Sequence, residues 1–361
     1  MDSTLGQLFF FLFFFFATVA FALLINSILL RFVKTLGTKN QPGASVRWST
    51  HTKPAIGGLS FFIVFFISFS IYSLAFDSRD VFENLRIVGL MAAGTLGFLM
   101  GLTDDAYNTR PVLKLLAQIL CGCILAGTGS SIELFDSYII NAILTVIWVV
   151  GIMNAINLLD NMDGIAASVA SIVVLAALIN LLLFGKHQSV DFTLLIGVLA
   201  ALLGFLFFNW NPSSMFMGDT GSQFLGVILA YVGVRYCWNA QSIEGAYGLL
   251  TGVAALVTVF IMPIIDTTVV TVHRLKRGQS PMKGGKDHTT HHLSYLGYSD
   301  RQVGSIFVGI SLLGALAYTL LIAFALPGKY LLAGIMVLCF IALLLYFYFL
   351  IEKNQKDGRN V

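Results

Sequence analysis

Charge is scarce in this chain. Asp, Glu, Lys and Arg make up 11% of its 361 residues, where soluble domains carry about 25%. Hydrophobic residues make up 57% and the mean hydropathy is +0.87, which excludes a soluble globular protein. Cysteine is sparse too. Cys121, Cys123, Cys237 and Cys339 lie in or at the end of apolar segments with neither metal-type nor paired extracellular spacing, so they read as small buried hydrophobes and disulfides are not expected. No polar stretch is long enough to fold as an appended soluble module, and residues 1–361 read as a single transmembrane domain. No internal repeat of the kind that marks many transporters is present. No basic residue precedes the first apolar run, which is too long for a signal-peptide core, so it reads as a retained span.

Long apolar runs are abundant. Segments near the ~20 residues needed to cross a bilayer occur at roughly 5–30, 56–76, 85–103, 112–128, 138–153, 164–184, 191–208, 221–237, 246–272, 302–326 and 329–351. The expected fold is all-α and polytopic, with about eleven transmembrane helices. Sixteen of the 21 Lys and Arg residues fall in the odd-numbered connections and the tail. Basic short loops stay in the cytoplasm, so the amino terminus is expected outside and the carboxyl terminus inside. A basic inner face also favours anionic headgroups and substrates.

On this topology the acidic residues gather on one face. Asp104 and Asp105 end the third run, Asp160 and Asp163 lie between the fifth and sixth, Asp219 opens the eighth, and Asp287 shares the long loop before the tenth with histidines. Carboxylates at span ends need solvation, pairing or a metal. They either cap helices in water or build a shared polar site, and the set as a whole favours the site. Adjacent Asp104 and Asp105 repel each other, which a divalent cation or Lys114 relieves. Asn154, Asn157, Asp160 and Asp163 recur every third position and share one helical face, suited to a nucleotide and metal-bound phosphate. Asp163 alone reads equally as the N-cap of the next helix.

In Phe216-Met217-Gly218-Asp219-Thr220-Gly221-Ser222-Gln223, Thr220 and Gln223 have capping-box spacing, which leaves Asp219 to hold a cation beside a helix N-terminus. Phe216 suits packing more readily than base stacking. The last long loop carries His273-Arg274 and then Gly284-Gly285-Lys286-Asp287-His288-Thr289-Thr290-His291-His292. No thiol joins these histidines, and phosphate recognition fits better than zinc.

Gly57-Gly58 after Lys53-Pro54, the Asp104-Asp105 pair, the Asn-x-x-Asn-x-x-Asp-x-x-Asp-Gly string from Asn154, Phe-Met-Gly-Asp-x-Gly-Ser from Phe216 and the histidine-bearing loop together resemble the polyprenyl-phosphate N-acetylhexosamine-1-phosphate transferases, the MraY/WecA family of glycosyltransferase family 4. The resemblance covers about residues 30 to 310 and is specific only as a set. It implies a multi-pass enzyme of the bacterial inner membrane, active on the cytoplasmic face, that moves a sugar 1-phosphate from a UDP-sugar to a polyprenyl phosphate and releases UMP. It implies Mg²⁺, with Mn²⁺ as a substitute, and allows a homodimer; no nucleic acid is among the partners.

By the same resemblance Asp219 is the metal ligand, Asp104 or Asp105 handles the lipid phosphate, and Asp160 and Asp163 shape the nucleotide and metal site with Asn154 and Asn157. His291 and His292 contact the diphosphate, while Lys53, Lys114, Asn209, Phe216, Arg274 and His288 belong to the substrate-binding set. The cell-wall branch has three consecutive histidines followed by Phe-Glu, whereas this chain has Thr289-Thr290-His291-His292-Leu293. It also lacks the His-x-His-His of the enterobacterial GlcNAc-1-phosphate members, since Thr289 stands where their first histidine falls. UDP-GlcNAc is the first expected donor, another UDP-N-acetylated sugar the second and UDP-MurNAc-pentapeptide the third. A secondary transporter would hold ionisable groups at broken helices near the midplane, and only Asp266 after Pro263 lies within a run. The CDP-alcohol transferases need an arginine that the segment after Asp163-Gly164 lacks.

Overall fold

The computed structural model describes residues 4–36, 53–76, 82–239, 241–242, 245–246, 249–280, 285–323 and 329–358. Lys283 and Gly284 of the basic loop lie outside the described residues, as do Lys39 and Arg47.

The architecture is helical. Thirteen α-helices are described: α1 (Thr4–Leu36), α2 (Gly57–Ala75), α3 (Leu85–Tyr107), α4 (Pro111–Gly127), α5 (Tyr138–Leu159), α6 (Ile165–Leu183), α7 (Val190–Asn209), α8 (Gly218–Gly233), α9 (Leu249–Val259), α10 (Ile261–Lys276), α11 (Thr289–Tyr295), α12 (Asp300–Ala323) and α13 (Lys329–Lys356). Among the described residues the extended structure consists of a two-residue antiparallel pair, Gln241–Ser242 with Gly245–Ala246, and one bridge between Ala55 and Phe216. Helices suit such apolar segments because they satisfy every backbone donor and acceptor within the segment.

Each of the eleven apolar runs holds a helix among the described residues, but the count of full spans differs from the expected eleven. Eight helices among the described residues are long and apolar enough to cross a membrane, or nine if one bent pair is a single span. The run at 246–272 is that pair. α9 and α10 meet at 84° around Phe260, and Pro263, in the first turn of α10, has no N–H to continue the ladder of α9. α4 has 17 residues and α8 has 16. At 1.5 Å per residue they reach about 25 Å, short of a ~30 Å hydrocarbon core. α8 runs directly into a π-helical turn, Val234–Trp238.

Burial grades from the centre outward. The apolar window of α6 is 83% buried and that of α7 is 72%, against 28% for α1 and 17% for α13. Every residue of α8 except Asp219 is buried, and it packs chiefly against α3 and α5. This contact is close because glycine permits it. A Cβ on Gly101 of α3 would meet the Asp219 carbonyl oxygen at 2.2 Å, and one on Gly58 of α2 would meet the Gly221 nitrogen at 2.2 Å. The start of α2 is sewn to the loop before α8: Phe216 N–H donates to Pro54 O (2.9 Å), Gly57 N–H to Phe216 O and Gly58 N–H to Met217 O (both 3.0 Å).

The cysteines depart in part from expectation. All four are free; Cys121 and Cys237 are buried, but Cys123 and Cys339 are exposed on the outer faces of their helices.

Candidate active site

The C-terminal ends of α3, α5 and α7 meet the N-terminal ends of α4, α6 and α8 at one end of the bundle. There Lys114, one turn into α4, is the hub. Its Nζ donates to Asp104 Oδ2 at 3.0 Å, to Asp219 Oδ2 at 3.0 Å and to Asn157 Oδ1 at 3.3 Å. Asn157 donates from Nδ2 to Asp219 Oδ1 (2.5 Å) and Ser222 Oγ (2.9 Å). Asp104 Oδ1 accepts from the backbone N–H and hydroxyl of Thr109, at 2.8 and 2.5 Å. These bonds fix the turn that carries α3 into α4, where Asn108 adopts φ 49°.

Asp105 does something different from its neighbour. Its carboxylate accepts from Asp219 N–H (2.9 Å), Thr220 N–H (2.8 Å) and Thr220 Oγ (2.6 Å), so a residue of α3 caps the N-terminus of α8. The expected Thr220–Gln223 capping box is therefore absent. Thr220 gives its hydroxyl to Asp105, and Gln223 Oε1 accepts from Gln118 Nε2 at 3.0 Å. Asn154 joins this inner amide layer, donating to Gln118 Oε1 at 2.8 Å. An anion at a helix N-terminus stabilises by charge as well as by hydrogen bonding.

The four residues expected on one face divide between two neighbouring sites. Asn154 and Asn157 lie on α5 and Asp160 closes that helix. The chain then turns, and Asp163 faces the loop after α7 instead. Its carboxylate accepts from Ser213 N–H (2.9 Å), Ser213 Oγ (2.8 Å) and Lys53 Nζ (3.3 Å). Gly164 rather than Asp163 is the N-cap residue of α6. Lys53 also donates to Ser213 Oγ (2.9 Å) and lies 5.2 Å from the centre of the Phe216 ring. Asn209 is buried between backbones, accepting from Gly164 N–H (3.1 Å) and donating to Met215 O (2.9 Å).

The histidine loop docks beside this face. Thr290 Oγ donates to Asn161 Oδ1 at 2.7 Å, which ties α11 to the α5–α6 turn. Asp266, fully buried in α10, caps α11 as Asp105 caps α8: it accepts from Thr289 N–H (2.8 Å) and Oγ (2.6 Å), and pairs with His288 Nδ1 at 2.9 Å. Arg274 is 2% exposed and forks onto Asp287, Nε at 2.9 Å and Nη2 at 2.6 Å, with Arg277 adding a 3.0 Å bond.

Burial works against the Asp287 charge, but the bond to Arg274 and the charges of Arg274, His288 and Arg277 outweigh it and hold the carboxyl down to about 2. Burial, with His288 adding repulsion, lowers His291 to about 3, and burial lowers His292 to about 4. Both rings are thus neutral at pH 7. His291 and His292 lie in a packed helix, α11, as two uncharged imidazoles.

Among the described residues no three His, Cys, Asp or Glu side chains close on a common point. The oxygens around Lys114 nonetheless suit a hard divalent cation. Two carboxylates and an amide oxygen already converge on one positive centre, and Mg²⁺ commonly takes one or two carboxylates and completes its shell with water and phosphate. Asp219 and Asp104 would hold it. Asp104 and Asp219 share the Lys114 ammonium, and Asp105 adds a negative charge beside Asp219, so a further cation is electrostatically welcome.

Sequence reasoning missed Gln118 and Ser213 in this region and gave no site role to Ser222 or Asp266. Ser213 sits in a Pro-Ser-Ser loop that looks generic, and Gln118 lies within an apolar run where only its polarity marks it out.

A helical membrane bundle with an aspartate-rich polar end built on these motifs defines a class, and the family comparison agrees: the glycosyl transferase family 4 model matches residues 87–237. It is similar to the probable undecaprenyl-phosphate N-acetylglucosaminyl 1-phosphate transferase of Bacillus subtilis (strain 168), 29% identical over 292 residues covering 77% of this chain and 76% of the relative. The decaprenyl-phosphate N-acetylglucosaminephosphotransferase of Mycolicibacterium smegmatis is 33% identical over 122 residues, 32% of this chain and 30% of the relative. The phospho-N-acetylmuramoyl-pentapeptide-transferase of Streptococcus uberis is 33% identical over 213 residues, 54% and 63% of the two chains.

Proposed function

We propose that this protein transfers GlcNAc-1-phosphate from UDP-GlcNAc to a polyprenyl phosphate of the undecaprenyl type, releasing UMP, at the cytoplasmic face of the bacterial inner membrane. The observation that carries the reading is the convergence of Asp104, Asp219 and Asn157 oxygens on one ammonium at the capped start of α8. Two anionic substrates need cationic partners and fixed positions more than they need covalent catalysis. Mg²⁺ held by Asp219 and Asp104 supplies charge neutralisation for the diphosphate when bound. Lys114 neutralises phosphate oxygen beside it, and Asn157 keeps the Asp219 carboxylate oriented. Lys53 and Phe216 form a cation-and-ring surface adjoining Asp163, suited to the uridine and its phosphates. The lipid phosphate is already ionised at neutral pH, so direct attack at the sugar-linked phosphorus needs no general base. The basic connections support a reading with the amino terminus outside and this site inside.

GlcNAc is preferred over the MurNAc-pentapeptide donor because Thr289 and Thr290 are committed to Asp266 and Asn161, leaving two consecutive histidines rather than three. The decisive experiment incubates purified protein with undecaprenyl phosphate, Mg²⁺ and a panel of UDP-sugars, recording UMP release and product mass. GlcNAc-pyrophosphoryl lipid is expected, with loss of turnover in EDTA and recovery with Mg²⁺ or Mn²⁺. Turnover only with UDP-MurNAc-pentapeptide would replace the donor, and full turnover in chelator would remove the metal.

A further inference from the structure

The last helix reaches the histidine loop through a residue that none of the motifs contains. Asn354, near the end of α13, is fully buried, and its Nδ2 lies 3.0 Å from the His292 carbonyl oxygen and 3.3 Å from His292 Nδ1. A carbonyl oxygen can only accept, so the amide atom facing it is the nitrogen. That same NH₂ group has a second hydrogen for the ring. His292 Nδ1 must then be the acceptor, and in a neutral imidazole the proton resides on Nε2.

We infer that Asn354 is a positioning residue that fixes the His292 proton on Nε2, so that this ring serves the transfer reaction as a neutral hydrogen-bond donor to a phosphate oxygen. The inference rests on the proposed function for the identity of the acceptor, but the tautomer stands on geometry alone. His292 Nε2 is buried and has no hydrogen-bond partner among the described residues, and a buried N–H of this kind costs free energy unless something accepts from it. Burial keeps the ring uncharged at neutral pH, with Asp287, His273, Arg277 and Asp266 as the charged or titratable groups acting on it. Tyr295 meets the ring edge-on at 5.4 Å.

The neighbouring histidines set this assignment in relief. His288 gives its Nδ1 side to the Asp266 carboxylate, the arrangement of a ring protonated at Nδ1. His292 faces an amide donor instead and takes the opposite tautomer. The segment that holds Asn354 is itself anchored. The His273 ring stacks on Tyr348 at 4.7 Å, and Lys276 donates to the Tyr348 hydroxyl while lying over that ring. The carboxyl end of α13 is therefore fastened to α10 less than two turns before Asn354.

The test uses the full-length protein in detergent with ¹⁵N-labelled histidine, the His292 signals being those lost in His292→Gln. In the wild type at pH 7 the ring is expected neutral with its proton on Nε2. Asn354→Asp, close to isosteric but unable to donate, is expected to move the proton to Nδ1 and lower kcat by about 10-fold or more, as a wrong tautomer does in other enzymes. A wild-type proton on Nδ1 overturns the inference, whether or not Asn354→Asp folds. A relocated proton with unchanged kcat overturns the catalytic part. Failure of the wild type to turn over any UDP-sugar would instead count against the proposed function, since the tautomer is read without turnover.

Discussion

Two carboxylates lie at opposite ends of α8, and their surroundings differ in kind. Asp191, in the first turn of α7, is 9% exposed and accepts from Tyr231 Oη at 2.9 Å and Tyr236 Oη at 2.7 Å. Arg235 acts on it electrostatically. Tyr236 passes the network on through its carbonyl to Tyr318 Oη (2.6 Å), which accepts from Asn180 (3.1 Å). The anion there is matched by donors and closed off by packing. At the other end, Asp219 has a side chain 32% exposed and shares one lysine with Asp104, while Asp105 adds a third negative charge nearby. A satisfied carboxylate holds helices together. An under-neutralised, half-open cluster is stabilised by whatever cation or cationic ligand arrives.

The largest effect that separates the two is on activity. Asp219→Asn should lower turnover roughly 10²- to 10³-fold while the melting midpoint without divalent cation holds or rises, because one of the competing charges is gone. Asp191→Asn should leave turnover near that of the parent. Equal activity losses in the two variants, at matched monodispersity, would erase the distinction.

Lys114→Met comes next. It leaves Asp104 and Asp219 facing each other, and loss of a partner from a largely buried pair costs about 3 kcal/mol. Millimolar Mg²⁺ should restore much of the melting midpoint if the three oxygens accept it. No recovery with Mg²⁺ would show that these oxygens are not a cation seat.

Tyr231→Phe is expected to be milder, at about 1–2 kcal/mol for a lost bond to a buried carboxylate, with normal kcat. A catalytic defect larger than the stability defect would mean that this end takes part in the reaction.

The smallest effect is a pH slope. His291 and His292 have folded-state values of about 3 and 4, below the ~6.5 of an unfolded imidazole. The unfolded chain therefore binds more protons as pH falls below about 6.5, and stability declines through that window. Asp287, held at about 2, adds a further loss only below about 4. Stability should fall by on the order of 1 kcal/mol between pH 7 and 6, read as a lower melting midpoint, and a midpoint that rises on acidification would show that these rings are already charged in the folded protein.

Much of this molecule was legible in its sequence because some physical signals are local. Scarce charge and long apolar runs dictate membrane helices, since nothing else satisfies the backbone in lipid. Aspartates at run ends stand out because an unpaired charge there is expensive. The Asn-x-x-Asn-x-x-Asp-x-x-Asp string and Asp219 were identified as polar groups that an apolar helix has no reason to carry. The partners they choose were not legible. Asp105 and Asp104 are adjacent in the chain, yet one caps α8 and the other pairs with Lys114. Gln223 has the spacing of a capping box but bonds to Gln118, 105 positions away in the chain.

The sequence by itself determined the solvent this chain folds in, the helical character of its elements and the residue types available for phosphate and metal chemistry. Only the tertiary structure decided which carboxylates are caps and which are open to a ligand, where the run at 246–272 breaks, and that His291 and His292 are buried and neutral. The reason is distance along the chain. Periodicity and composition act over a few residues, whereas the bonds from Asp105 to α8, from Asp266 to α11 and from Asn354 to His292 join helices that meet only after the bundle has packed.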